Sequence, residues 1–158
     1  MRNTRLLIAA ISLVACAKSE SAKTDSAAAM SAAPTAPAAV TAADMASTVN
    51  GKVMAQGSDS VLSTFTCSPG TAANTTRCVD PAAPKDTVNY TYTLTGADSV
   101  MFESAPFTPP TPPKSPKLIN HVVGHLAGNQ WTGTTVSVLA AKPDSVVQRT
   151  RWTATKAQ

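Results

Sequence analysis

His121 and His125 are the only histidines in this 158-residue chain, four apart in Asn120-His121-Val122-Val123-Gly124-His125. On a helix or a strand that spacing puts both imidazoles on roughly one side, where two neutral rings could contribute to a metal site. The glutamate that follows the first histidine in the metalloprotease motif is replaced here by Val122. Glu103 is the one acidic residue in that part of the chain worth testing as a third ligand. The expectation is of ordinary polar residues on an exposed strand face, with His121 and His125 kept as metal candidates. Nucleophilic chemistry has less to work with. No serine sits in Gly-x-Ser-x-Gly, and the carboxylates are dispersed at turns instead of paired. There is no phosphate-cradling glycine loop and no dinucleotide fingerprint. No catalytic residue and no cofactor is assigned.

A third site of potential chemistry lies near the start. Arg2 and Arg5 give a positive beginning, and Leu6 to Ala15 follow without a charge. A bilayer-spanning helix needs about 20 apolar residues, so this run is too short to cross. A basic end, a short apolar stretch and a small residue before a cut are the marks of an export signal. Leu13-Val14-Ala15-Cys16 resembles the lipobox of bacterial lipoproteins: an apolar residue, a spacer, a small residue and the cysteine that is acylated. The resemblance implies cleavage after residue 15, a diacylglyceryl group on the Cys16 sulfur, and a further acyl chain such as palmitate on its new amine. Each buried methylene contributes about 0.8 kcal/mol, and one acyl chain holds only marginally; two or three hold durably. The lipid bilayer is then the first partner, and the cell envelope the location. Ala17 stands where an Asp would suggest retention at the inner membrane, so the outer membrane of a two-membrane bacterium is expected.

With Cys16 accounted for by lipid, Cys67 and Cys78 remain, and an even remainder in an exported protein suggests a disulfide. The alternative is a two-cysteine metal site, but no second Cys or His pair stands at zinc-finger spacing.

The elements that carry these residues follow from composition. The formal charge is +4 with 13 basic and nine acidic residues, and removing Arg2 and Arg5 with the signal leaves an excess of two. That is too small and too scattered for nucleic acid. From residue 16 to 46 the chain is rich in Ala, Ser, Thr and Pro, without an aromatic residue or a glycine. It reads as a disordered tether, with a short Ala-rich helix near 41–46 as the other possibility. All seven aromatic residues and all seven glycines lie beyond Ala46, which marks 47–158 as one small domain.

Within the domain the pattern is β. Thr87 to Leu94 alternates, with Val88, Tyr90, Tyr92 and Leu94 on one face. Further strands are expected at 49–55, 61–67, 99–103, 117–126, 130–139 and 146–154, which makes about seven antiparallel strands. Turns are expected at Gly57-Ser58-Asp59, Gly96-Ala97-Asp98, Ala127-Gly128-Asn129 and Lys142-Pro143-Asp144. Asp-Ser-Val recurs at Asp59, Asp98 and Asp144, as three turns that re-enter strands. Two long connections remain: 68–86, and 106–116 with six prolines in eleven residues. The second prefers polyproline II and reads as a stiff crossover, with docking to an aromatic groove as its sharper role. Seven short strands favour a small all-β sandwich or barrel.

Together these readings describe an envelope lipoprotein that presents a small all-β, disulfide-stapled binding or structural module. An envelope protein partner could meet it at strand edges or at the proline-rich segment. The alternatives are a metal-dependent enzyme using His121 and His125, and a carrier of a small apolar ligand inside a barrel.

Overall fold

The structure is a computed structural model, and it describes residues 38–110 and 115–157. Cys16, the signal segment and the tether up to residue 37 lie outside the described residues, as do 111–114 at the centre of the proline-rich stretch.

Eight strands form one closed antiparallel barrel in simple chain order. They are β1 (Val49–Ala55), β2 (Val61–Pro69), β3 (Thr75–Asp80), β4 (Ala83–Leu94), β5 (Ser99–Ser104), β6 (Leu118–Ala127), β7 (Gln130–Leu139) and β8 (Lys142–Lys156). Each strand pairs with the next, and β1 closes the circle against β8 from Val49↔Lys156 to Ala55↔Thr150. The all-β expectation holds, and of its two forms the chain adopts the barrel.

One strand was not expected. Thr75–Asp80 lies inside what reads as a loop between Ser68 and Asp86, and it pairs with β2 on one side and β4 on the other. Pro69, Gly70, Pro81 and Pro84 suggest turns, but only Gly70 to Asn74 and the Pro81-Ala82 pair form them. The turn expected at Lys142-Pro143-Asp144 lies slightly earlier, at Ala140-Ala141. Lys142 already faces Leu139, and the register jumps so that Val146 faces Val138. The residues between are accommodated as a bulge, which takes in the third Asp-Ser-Val. The first two Asp-Ser-Val sequences do leave turns and enter β2 and β5.

Residues before Ser47 also pack on the barrel. Val40 is 4% exposed and packs in the same cluster as Val100, Trp131, Trp152 and Ala154. Its amide donates to the Ala97 carbonyl at 2.9 Å, which ties it to the β4–β5 turn. Thr41 then opens a four-residue helix, α1 (Ala42–Met45). The Asp44 carboxylate accepts from the Thr41 amide and hydroxyl and from Lys156 Nζ at 2.9 Å. The segment 38–46 thus covers the end of the barrel where β1 begins and β8 finishes.

Beneath this cover the core is built from large rings and small residues in register. Leu94, Val100, Gly124, Gly133, Trp152 and Val53 follow one another across adjacent strands on the inner face. The indole of Trp152 lies over the two glycines: a Cβ at Gly124 would come within 3.0 Å of it, and one at Gly133 would collide with it. Phe65 meets Trp152 edge to face at 6.1 Å between ring centres. Arg151, on the outer side, donates to the Ser58 carbonyl and pairs with Asp59, which holds the β1–β2 turn against β8.

Candidate functional site

A closed eight-stranded barrel has an interior just wide enough for side chains or for one small ligand. Trp131, Trp152 and the Val40 segment fill the covered end. A cavity of about 850 Å³ remains inside the barrel, reaching from Met45 and Trp131 at the covered end to Phe107 and Pro110 at the opposite one. Its wall takes residues from all eight strands, with Val53, Phe65, Val88, Phe102, Leu118 and Val122 among the apolar ones. Pro106 to Pro110, entering the proline-rich connection, and the β3–β4 hairpin border it as well. Phe107 is held there by reciprocal backbone bonds with Leu118, at 3.0 and 2.8 Å.

Across this wall runs one row of polar side chains. Thr76 faces Tyr90, and Tyr90 faces Ser104. Asn120 faces Ser137, and Ser137 faces Gln148. Since Glu103 faces His121, Ser104 stands beside Asn120 at the same level. Six consecutive strands therefore present hydrogen-bonding groups along one line. The row is wired together. Ser137 Oγ donates to Asn120 Oδ1 at 2.7 Å, and Asn120 Nδ2 donates to the Tyr90 hydroxyl at 3.1 Å. The Asn120 amide donates to Ser104 Oγ at 2.9 Å, and Thr76 Oγ1 donates to the Ser68 carbonyl at 2.8 Å. Such pairing is what a polar group inside a core requires. Burial pushes the Tyr90 hydroxyl above its usual pKa, with the Asn120 hydrogen bond opposing, so the phenol stays protonated at neutral pH.

The disulfide expected from the cysteine count is present. Cys67 and Cys78 face each other across β2 and β3, with Cα atoms 4.0 Å apart, and the bond lies against the cavity. It staples β2 to β3 in the wall, two residues along β2 from Phe65.

The histidines are elsewhere. His121 and His125 sit on the outer face of β6, about half exposed. They do share one side, but four residues of strand separate them by about 13 Å along the chain, beyond the reach of one ion. His121 Nδ1 is 3.3 Å from Glu103, its cross-strand neighbour, and His125 Nδ1 is 3.7 Å from Asp98. Among the described residues no group of three or more His, Cys, Asp or Glu side chains is placed to hold a metal ion.

The outer wall is mixed: Met101 and Val123, cross-strand partners, are exposed, as are Val61, Val146 and Val147, among polar neighbours. Asn50, Lys52, Thr91, Thr93, Thr132 and Thr134 alternate with the inward set. No helix among the described residues is long and apolar enough to cross a membrane.

The sequence pointed to the inward set of β4, namely Val88, Tyr90, Tyr92 and Leu94, and these do face the interior. It did not single out Asn120 or Ser137. Inward parity in each strand was the available signal, since Asn120 precedes Val122 by two and Ser137 follows Thr135 by two. No protein-family model, no curated protein and no solved structure matches this chain.

Proposed function

We propose that this chain is an envelope lipoprotein whose barrel binds and carries a small, largely apolar molecule. The observation that supports the carrier reading is the hollow of about 850 Å³ inside a closed barrel. Ligand sites of roughly 300–1,000 Å³, mostly apolar with a few placed polar groups, are the usual size and make-up for small molecules. A solid core would have filled that space, since packing is worth more to stability than an empty interior. Closure of β1 on β8 also leaves no free strand edge in the barrel, which favours an interior site over pairing with a partner strand.

The anchor rests on Leu13-Val14-Ala15-Cys16. The acylated Cys16 holds the chain to the bilayer, at the outer membrane of a two-membrane bacterium. An envelope protein that receives or delivers the cargo is the natural further partner. Intact-mass spectrometry of membrane fractions is expected to show a chain that begins at Cys16 and carries two or three acyl chains.

The carrier reading is tested with an environment-sensitive apolar dye, nile red, on the purified oxidised full chain. Its emission is expected to rise and shift to the blue with the wild type. The increase is lost in Val88→Trp, which fills the cavity, while the circular dichroism stays that of the barrel. A wild type that leaves the dye unchanged, and that carries no small molecule in native mass spectrometry, refutes the reading.

A further inference from the structure

We infer that the cargo is electrically neutral and carries a hydrogen-bond acceptor that is read by the Tyr90 hydroxyl. The inference rests on the carrier reading above and narrows it to a ligand class: a neutral amphiphile such as an ester, ketone or alcohol on an aliphatic body.

The first support is how the polar row is wired. Asn120 has its carbonyl oxygen occupied by Ser137, and its amide is directed at the Tyr90 oxygen. Tyr90 therefore accepts from Asn120, and its own hydrogen is left to donate. Ring contacts fix where that hydroxyl sits. Tyr90 meets Phe102 edge to face at 6.5 Å, and Phe102 meets Tyr92 at 6.2 Å. A phenol held between ring packing and an amide is an oriented donor, and it faces the cavity.

The second support is the distribution of charge. No inward residue of the row from Thr76 to Gln148 is charged, and the phenol of Tyr90 is held neutral by its burial. The charged groups that touch the cavity belong to its ends. Asp80, Lys85 and Asp86 come from the β3–β4 hairpin, with both signs present. Asp44 comes from the covering segment and is already paired with Lys156. A carboxylate or ammonium drawn down to the row would be buried without a counter-ion, whereas an ester carbonyl would gain a donor.

The test is a ligand series with one aliphatic body and different heads, read by displacement of nile red from the purified oxidised full chain. Methyl tetradecanoate and tetradecanol are expected to bind about a hundredfold more tightly than tetradecanoate or tetradecyltrimethylammonium at pH 8. Tyr90→Phe is expected to weaken the methyl ester roughly threefold to tenfold while leaving tetradecane unchanged, since it removes one donor and keeps the ring. If charged and neutral heads bind equally, the head stays in water at the mouth and this inference falls while the carrier reading stands. An ester affinity unmoved by Tyr90→Phe removes Tyr90 from the role. If no member binds, tetradecane included, both readings fall together.

Discussion

The two ends of the barrel solve opposite problems with the same strand pairing. At the covered end, rings and glycines interlock, and Val40 closes the gap between Ala97 and the indoles. That end even tolerates the indole N–H groups of Trp131 and Trp152, both buried without a hydrogen-bond partner. An unpaired buried donor costs about 1–3 kcal/mol, and burying such large rings offsets it. At the other end the row Ser137–Asn120–Tyr90 is wired together with only the Tyr90 hydrogen left to donate, and space is left unfilled. Large rings are concentrated at the covered end, and a wired polar row lines the room kept at the other. A barrel can afford a hollow half only if its other half is packed tightly.

The sharpest way to break this contrast is Trp152→Ala. Removing the indole from over Gly124 and Gly133 should cost about 3–5 kcal/mol in urea unfolding. Leu118→Ala at the open end should cost about 1 kcal/mol, because its side chain is half-buried beside empty space. Equal losses would mean that the two halves share one core. Replacing Cys67 and Cys78 together by Ser should cost about 2–4 kcal/mol. Amide exchange should then quicken in β2 and β3 before it does in β7 and β8, which hydrogen-exchange mass spectrometry would resolve. Slower exchange there would remove the disulfide as the brace of the hollow side.

Val40→Ala should cost about 1–2 kcal/mol and shift tryptophan emission to the red as water reaches the indoles. An unchanged spectrum would mean that the segment 38–46 does not seal that end. The smallest effect belongs to Asp44. Its hydrogen bonds to Lys156 and Thr41 lower its pKa from 3.8 to about 2. A carboxylate depressed on folding stabilises the native state above the unfolded value, and that contribution fades as pH falls from about 4 towards 2. Partial exposure limits it to about 1 kcal/mol. Asp44→Asn should lower stability at pH 7 by that amount and flatten the profile below pH 4, as followed by thermal melting.

Much of the wall was legible because alternation is local. Val49–Ala55 and Gln130–Leu139 are read with their observed limits, and the face of β4 is read correctly. Thr75–Asp80 was hidden because prolines and a glycine flank a strand whose Thr, Arg and Asp give weak alternation; pairing on both sides overrides that local signal. Val40 was hidden by its Ala-rich surroundings, where one buried valine makes no period. The polar row was illegible for a different reason. Tyr90, Ser104, Asn120, Ser137 and Gln148 are far apart in sequence and come level only through register across several hairpins. The histidine spacing gave the right side of the strand, but its length along an extended chain rules out a shared ion.

Because Val49 lies beside Lys156, the order of the hairpins is a ring with no intrinsic first member. A linker from Ala157 back to the segment before Val40, with new termini cut at the exposed Gly128 turn, would preserve every strand neighbour. Such a rearranged gene should still yield the same receptacle, and it would let a reporter be fused beside β6 and β7 without lengthening either natural terminus.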